Sequence, residues 1–353
     1  MKTRHKVMWW IAIAVPIVIV GAAVAVVGRQ IRQDRLNYDL YNAIVDLDVP
    51  AVTQLLEDGA DANTLYPLEG PQPPPGLRDI LRRMFQRSNQ AQSSPPDMVP
   101  ALLWPLSPFG SHERSAYKES TGGVDPDDAE AAAITIALLR HSAKPNAVGP
   151  GNMTALHWAA AYNYRTVAET LLKFHADTRI ADGSGRTALE IAAEDSPEVA
   201  RVLISGGANP KLPGIVQKAI RNSDFELAVR LVKLGANASG AFDDAEEDED
   251  RHFSFARAAP ASLEFLLNHG LDANGLVLPT SSRTLLLAAV IEHAPFPIIK
   301  LLLKHGAVVT LRDEDGLSAI DYAKSQYHSV IPMLMAAAKA KTRGQRLVKA
   351  SRR

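Results

Sequence analysis

The stretch TALHWAAAYNYRTVAETLLKFHAD, residues 154–177, holds two histidines, His157 and His175, within a run rich in alanine and leucine. Imidazole is a common metal ligand and acid–base group at neutral pH, so a metal centre or a catalytic pair is the first chemistry to consider. No further ligand follows at the spacing of a zinc site, and the histidines of the chain are scattered. We therefore interpret this stretch as structural, and the sequence around it indicates the fold to which it belongs.

Two other groups of residues have side chains suited to chemistry. His112 and Glu113 could form an acid–base pair, which keeps an enzyme open as a remote alternative. The acidic run DDAEEDED, residues 243–250, could attract calcium, but it lacks the glycine and the ligand spacing of a calcium-binding loop. We interpret that run as a solvated loop.

Common catalytic and nucleotide-binding motifs are absent from the chain, which contains no HExxH, G-x-S-x-G, P-loop or G-x-G-x-x-G sequence. It also contains no cysteine, which excludes disulfides, thiolate metal sites and cysteine nucleophiles. We predict that the protein is not an enzyme, that no residue is catalytic, and that it has no cofactor, metal site or small-molecule substrate.

Composition favours helices. The chain is 46% apolar and only 6% aromatic, and its abundant alanine and leucine favour closely packed helices over strands. Charge is segregated, because residues 1–6 carry three Lys or Arg, residues 339–353 carry seven, and neither segment carries an acid. Removing these ten charges from the formal net charge of −1 leaves −11 on the rest of the chain. The body is acidic and both ends are basic.

The run VMWWIAIAVPIVIVGAAVAVVG, residues 7–28, contains no charged residue. As a helix rising about 1.5 Å per residue, it would extend roughly 33 Å and cross the ~30 Å hydrocarbon core of a bilayer. Trp9 and Trp10 at its start suit the membrane interface. We predict an uncleaved transmembrane helix that acts as a signal anchor. A cleavable signal peptide, with Ala23-Val24-Ala25 as its small-x-small pattern, is the alternative.

Charge does not decide the orientation of this span, since residues 1–6 and 29–35 each carry three basic residues. A single span beside the initiating methionine, followed by a large body, favours a cytoplasmic N-terminus and an exported C-terminal body. The alanine-rich, cysteine-free composition suggests a bacterial inner membrane. We therefore expect a single-pass membrane protein whose body lies in the periplasm.

Short related tracts recur along the chain at intervals of about 33 residues, each preceded by a leucine-rich segment. Upstream of several tracts lies a second element, as in TALHWAA from Thr154 and TALEIAA from Thr187. The tracts are GADAN (59–63), SAKPN (142–146), HADTR (175–179), GANPK (207–211), GANAS (235–239), GLDAN (270–274) and GAVVT (306–310).

A 33-residue unit with a T-P-L-H-x-A opening, two short helices and a G-A-D turn resembles the ankyrin repeat. The segments DGSGRT (182–187) and DEDGLS (313–318) are similar to the hairpin tip that precedes the first helix. The resemblance covers residues 39–63 and 126–338, with alanine in place of the motif proline. It implies an all-α ankyrin-repeat solenoid of helix-turn-helix units with hairpin loops, preceded by one transmembrane helix. It also implies that His157 makes the hydrogen bond of the opening motif.

The predicted organisation follows from these segments. GLRDILRRMFQR (76–87) predicts a basic amphipathic helix that either replaces the missing first helix of the second repeat or docks on a membrane surface. The basic tail is interpreted as a solvated terminus, with binding of lipid or nucleic acid as the alternative. The segments are a basic N-terminus (1–6), the transmembrane helix (7–28), a membrane-proximal segment with a first repeat (29–63), a proline-rich insertion (64–125), the ankyrin-repeat domain (126–338) and the basic tail (339–353).

The resemblance implies a membrane-tethered module that binds a protein partner through its concave and hairpin surface. A dedicated inhibitor or immunity-type partner of a neighbouring enzyme is the alternative. Tyr162 and Arg186 are the predicted anchors, because tyrosine and arginine dominate interface hot spots. Registration against the family places the following residues on that surface: Met153, Ala161, Tyr162, Ser184, Arg186, Glu194, Asp195, Arg283, Glu292, Glu314, Asp315 and Gln326.

Overall fold

The fold is taken from a computed structural model, which describes residues 2–68, 70–74, 98–106, 128–239, 254–255, 258–278 and 282–340. Within the first helix, side chains are described for Ala22 and from Val24 onward. The helices are α1 (Lys2–Val45), α2 (Val49–Glu57), α3 (Asp128–Arg140), α4 (Ala155–Ala161), α5 (Arg165–Lys173), α6 (Ala188–Asp195), α7 (Pro197–Ser205), α8 (Ile215–Arg221), α9 (Phe225–Lys233), α10 (Pro260–Asn268), α11 (Leu285–Ile291), α12 (Phe296–Lys304) and α13 (Ala319–Gln326). The strands are β1 (Leu65–Pro67), β2 (Met98–Pro100), β3 (Leu276–Leu278) and β4 (Arg283–Thr284), and residues 331–340 are again helical.

The predicted transmembrane run, 7–28, belongs to α1, which extends without a break from Lys2 to Val45. Most side chains of that run lie outside the described residues. Among the residues that are described, no helix is both long enough and apolar enough to cross a membrane.

The chain separates into two compact units. The first comprises Met1–Ala159, Thr166–Asp177 and Asp182–Ser184, and the second comprises Ala160–Arg165, Thr178–Ala181 and Gly185–Arg353. In the first unit the end of α1 packs on α2, and α2 packs on α3. The second unit repeats the same pairing, as α6 packs on α7, α8 on α9 and α11 on α12.

In the second unit, equivalent helices of neighbouring repeats pack against each other. First helices contact first helices, as α6 contacts α8 and α11 contacts α13, while second helices contact second helices along α9, α10 and α12. Small residues allow this close approach, since Ala192 and Ala193 on α6 are fully buried, and Leu203 and Leu302 fill the layer between repeats. The mostly helical architecture predicted from the sequence is confirmed, with short pairs of strands added to it.

The recurring sequence tracts mark where helices start and stop. Thr284 accepts a hydrogen bond from the Leu287 amide at the start of α11, and Ser318 and Asp321 form a reciprocal capping box at the start of α13. The glycine that follows a second helix has a left-handed backbone, with φ of 101° at Gly59 and 103° at Gly270. His175 takes the same position with φ of 61°, and Asn163 turns between two helices with φ of 57°.

The proline-rich insertion contains two paired strands, which the sequence had not revealed. β1 pairs antiparallel with β2, so that Pro67 lies opposite Met98 and Tyr66 opposite Val99. A short 3-10 turn, Ala101–Leu103, follows β2 directly and packs against α3. The prediction that residues 76–87 either replace the first helix of the second repeat or dock on a membrane surface stays a prediction. Residues 76–87 themselves lie outside the described residues.

An aromatic cluster closes the base of this hairpin. The rings of Tyr41 and Trp104 meet edge to face with centroids 4.9 Å apart, and the rings of Tyr41 and Tyr66 lie 5.1 Å apart. Trp104 is 1% exposed and Tyr66 is 2% exposed. Burial raises the pKa of the Tyr66 hydroxyl well above its usual range, so this tyrosine stays neutral.

Candidate interaction surface

His157 has the structural role predicted from the sequence. Its side chain is 1% exposed, and Nδ1 lies 2.7 Å from Thr154 Oγ1 and 3.1 Å from the Thr154 amide nitrogen. Because the ring ties the first turn of α4 to the residue that precedes it, it fixes the entry of the helix. His175 is exposed on a separate turn after α5. The two histidines of the opening stretch are thus part of the framework.

Two of the predicted surface residues lie at hairpin tips of the first unit. Met153 is half-buried, and Ser184 is exposed, with its amide donating to Asp182 Oδ1 at 2.9 Å. The tips approach closely, since the Gly183 amide donates to the Gly151 carbonyl at 2.6 Å. A side chain at Gly183 would meet that carbonyl at 3.0 Å, so only glycine fits there without displacement.

The predicted anchors Tyr162 and Arg186 are both exposed. The ring of Tyr162 is 45% exposed and stacks on Tyr164 with centroids 6.1 Å apart. Partial burial raises the pKa of the Tyr162 hydroxyl. Ala161 beside it is half-buried. Tyr162 therefore exposes part of its aromatic ring to solvent, and its role as an anchor stays a prediction.

Glu194 departs from its predicted role as an exposed contact, whereas its neighbour Asp195 is exposed. The carboxylate of Glu194 lies 2.9 Å from Lys218 Nζ on α8, and the two side chains are 9% and 12% exposed. Glu194 Oε1 nevertheless makes no hydrogen bond of acceptable geometry, so the attraction between them is mainly Coulombic. This pair joins two neighbouring first helices and is not available as the main contact of a partner.

Three polar side chains meet on the last two repeats. Tyr322 on α13 donates to Asp313 Oδ2 at 2.6 Å, and the second oxygen of Asp313 accepts from the Leu317 amide at 2.9 Å. The carboxylate of Asp313 raises the pKa of Tyr322 to about 12, while the nearby positive charge of Arg283 acts in the opposite direction. Asp313 is 7% exposed.

Arg283 is the predicted surface residue with the most distinctive surroundings. It lies on β4 and is half-buried, and it makes no hydrogen bond or ion pair with any residue that the structure describes. Its Nε is buried without a partner. Its positive charge acts on the nearby Tyr322, but none of the described carboxylates forms an ion pair with it.

Exposed leucines lie on the hairpin that carries this arginine and on the next hairpin, and the sequence analysis missed them. Leu276 on β3 is 38% exposed, while Leu311 and Leu317 on the next hairpin are 39% and 40% exposed. The two hairpins adjoin, because Asn274 donates to the Gly306 carbonyl at 3.3 Å and accepts from the Val308 amide at 2.8 Å. We name Leu276, Arg283, Leu311 and Leu317 the hairpin patch. All four residues lie at or next to a hairpin, and this shared position in the repeat is the sequence feature that could have identified the leucines.

The remaining predicted residues lie around the hairpin patch or at the opposite ends of the helices. Glu314 and Asp315 are exposed on the hairpin that carries Leu317. Glu292 and Gln326 are exposed where α11 and α13 end, and the ring of His293 meets the Gln326 carbonyl at 3.0 Å. The last two repeats thus hold one group at the hairpins and a second group at the helix turns.

The other chemistry considered from the sequence receives no support from described residues. Within the described ranges, no group of three or more His, Asp or Glu is placed to hold a metal ion. His112, Glu113 and the acidic run 243–250 lie outside those ranges, as does the basic tail beyond residue 340.

Comparison with known proteins agrees with the helical repeats. Residues 129–213 match a family model described as ankyrin repeats, in 3 copies. No curated protein matches the sequence significantly. The ankyrin repeat domain of human ASB11 is a similar solved structure, with 17% identity, coverage of 84% of this chain and 96% of that chain, and a TM-score of 0.42.

Two further solved structures are similar. The ankyrin repeat domain of Bcl-3, a member of the IkappaB family, has 16% identity, with 84% of this chain and 97% of that chain covered and a TM-score of 0.41. A predatory endopeptidase from Bdellovibrio bacteriovorus in complex with an immunity protein gives 24% identity, 52% and 98% coverage, and a TM-score of 0.37.

Proposed function

Because this chain carries ankyrin repeats, we propose that it is a non-catalytic module that binds another protein while tethered to a membrane through residues 7–28. The observation that carries the binding function is the hairpin patch of the second unit. There an arginine with no carboxylate partner among the described residues shares two successive hairpins with three exposed leucines.

The side chains of the hairpin patch indicate which side chains the partner would place against them. A guanidinium pairs best with a carboxylate, which it holds through two parallel hydrogen bonds. The leucines would gain by losing contact with water, at about 25 cal/mol per Å² of apolar surface buried. We therefore propose that the partner inserts an aspartate or glutamate at Arg283 and packs apolar side chains on the leucines around it.

Site-specific photocrosslinking in the native membrane tests this surface. A benzophenone amino acid at Leu317 should yield one discrete adduct, whereas the same group at Lys300, exposed on the second helix α12, should not. Arg283→Ala should weaken capture about tenfold, the effect of a 1.4 kcal/mol loss of binding free energy.

Arg230→Ala is the matched control, because Arg230 is exposed on the second helix α9 and already donates to Ser205. Equal adducts at Leu317 and Lys300, or equal capture by the two arginine variants, would reject the hairpin patch as the binding surface. In the same assay Tyr162→Ala and Arg186→Ala test the two anchors predicted from the sequence.

We also propose that residues 7–28 form a single membrane span in a bacterial inner membrane, with the repeats on the periplasmic side. The support is the uncharged run itself and the continuous helical backbone of α1 through it. Twenty or so apolar residues in a helix match the hydrocarbon thickness of a bilayer.

A further inference from the structure

The first repeat is built directly on α1. Gln33 donates to the Gly59 carbonyl at 2.9 Å, and Asn37 accepts from the Asp61 amide at 2.9 Å. Tyr66 donates to the Asn37 carbonyl at 2.8 Å. The last third of α1 is thus the first helix of that repeat, and contact with it begins at Gln33.

The part of α1 between the apolar run and the repeat is a regular helix. From Arg29 to Val45 it contains no glycine or proline, the residues that usually bend a helix. Side chains one turn apart reinforce it, since Gln30 donates to Asp34 at 2.7 Å and Gln33 donates to Asn37 at 3.0 Å. Movement of the helix is therefore transmitted to the repeat.

The loops that follow second helices form a connected row beside α1. Asn63 donates to the Ser142 carbonyl and accepts from the Lys144 amide, both at 2.9 Å. In the next repeat the Asp177 amide donates to Asn146 at 2.8 Å. We name residues 59–63, 142–146 and 177 the loop row of the first unit. It begins at the level of Gln33 and Asn37.

The loop row therefore lies close to the end of the apolar run. Gln33 follows Gly28 by five positions, which is about 8 Å along a helix. The headgroup layer on one side of a bilayer is roughly 5 to 8 Å thick, since about 30 Å of the 40 to 45 Å total is hydrocarbon. With residues 7–28 in the bilayer, residues 59–63 lie at its surface.

The hairpin beside the loop row presents apolar side chains. Tyr66 and Val99 point into the core, so alternation along the strands turns Leu65 and Met98 to the outer face, where they are 51% and 40% exposed. Val148, on the hairpin of the next repeat, is 45% exposed. Arg29 and Arg32 are exposed on α1 and can meet anionic headgroups.

We infer that the first unit rests its loop row on the membrane surface, with Leu65, Met98 and Val148 in the bilayer interface. This inference depends on the proposed span. The occupant of this apolar face is the lipid, because the helix that carries the repeat continues into the apolar run. Because the continuous helix α1 links the span to the repeat, contact between the repeat and the membrane is intramolecular. A few exposed apolar side chains are therefore enough to hold the first unit on the membrane surface.

Depth-dependent fluorescence quenching tests this placement, and the natural absence of cysteine allows single-cysteine labelling. The full chain is reconstituted in vesicles of phosphatidylethanolamine and phosphatidylglycerol. A bimane label at Met98→Cys should be quenched strongly by nitroxide on lipid headgroups. A label at Asp46→Cys, exposed at the far end of α1 and roughly 27 Å beyond Gly28, should be quenched several-fold less.

Two controls test the helical link between the span and the repeat, and the span itself. Four glycines inserted between Ile31 and Arg32 should remove the difference between positions 98 and 46, because the repeat is then free to tilt. Equal quenching at 98 and 46 with the unmodified link would overturn the inference, although the span stands if a label at Val18→Cys is quenched by acyl-chain nitroxide. Absence of that quenching at Val18 would overturn the span and the inference together.

Discussion

At the scale of single residues, the pair of Tyr322 and Asp313 couples a hairpin to the helix that follows it. The carboxylate of Asp313 accepts one hydrogen bond from its own hairpin and one from the Tyr322 hydroxyl on α13. A hydrogen bond to a charged acceptor stabilises a fold more than a neutral one does. The geometry of the hairpin patch therefore depends on a residue that does not face the partner.

Tyr322→Phe should lower the free energy of unfolding by about 1 kcal/mol, because Asp313 loses one hydrogen bond but keeps the one from the Leu317 amide. The pKa of Tyr322 is raised in the folded protein, so its contribution is complete below pH 10 and is lost as pH rises through about 12. Urea denaturation from pH 8 to 11 should show the two proteins converging. A constant difference across that range would contradict the hydrogen bond.

Ser142→Gly should stabilise the protein by about 0.5 kcal/mol, since Ser142 has φ of 70° in a position where other repeats use glycine. The Asn63 contact to its carbonyl is unaffected, because the backbone makes it. The matched control is Ser205→Gly at the end of α7, where glycine weakens the helix and the sign should reverse. Thermal melts of the two variants shifting in the same direction would refute this explanation.

At the scale of elements, neighbouring first helices of the second unit are joined by the buried pair of Glu194 and Lys218. Lys218→Met should lower the free energy of unfolding by about 2 kcal/mol, because it leaves a carboxylate buried without its cation. The double variant E194Q/K218M should lose less than K218M alone, which denaturant titration measures. Additive losses would show that the two charges do not interact.

How far these elements could be predicted depends on the range of the interactions that form them. The capping threonine of α11, the left-handed Gly59 and the buried alanines of α6 follow from local sequence, and all were predictable. The hairpin of β1 and β2 was not, because its strands are separated by the insertion, and no local pattern marks the pairing. Arg283 was predicted from registration, whereas its exposed leucine neighbours depend on which hairpins adjoin.

Glu194 shows the same limit within the candidate site. Its position in the repeat predicts exposure, but burial is decided by the next repeat, where Lys218 reaches it. A motif gives the place of a residue within one unit, and the adjoining unit determines what that residue contacts. Tyr162, whose ring remains 45% exposed, is still accessible to a partner.

At the scale of the whole molecule, a single uncharged run at residues 7–28, followed by a large body, predicts which compartment holds the repeats. A protease-cleavable tag after residue 353 should be cut in cells whose outer envelope has been opened and should stay intact in untreated cells. That result directs the search for the partner to exported proteins. Protection until the inner membrane is lysed would reverse the proposed orientation.

The pair of strands within the proline-rich insertion has a consequence for how this chain tolerates change. Because Pro67 and Met98 lie opposite each other in a hairpin, whatever joins them begins and ends at one point of the framework. The entropy cost of such a loop grows only slowly with its length, by about 0.6 kcal/mol for each doubling. The segment between these two strands is thus a site that tolerates insertion and deletion. Sequences there can be exchanged, lengthened or removed, in evolution or by design, while the repeats keep their register.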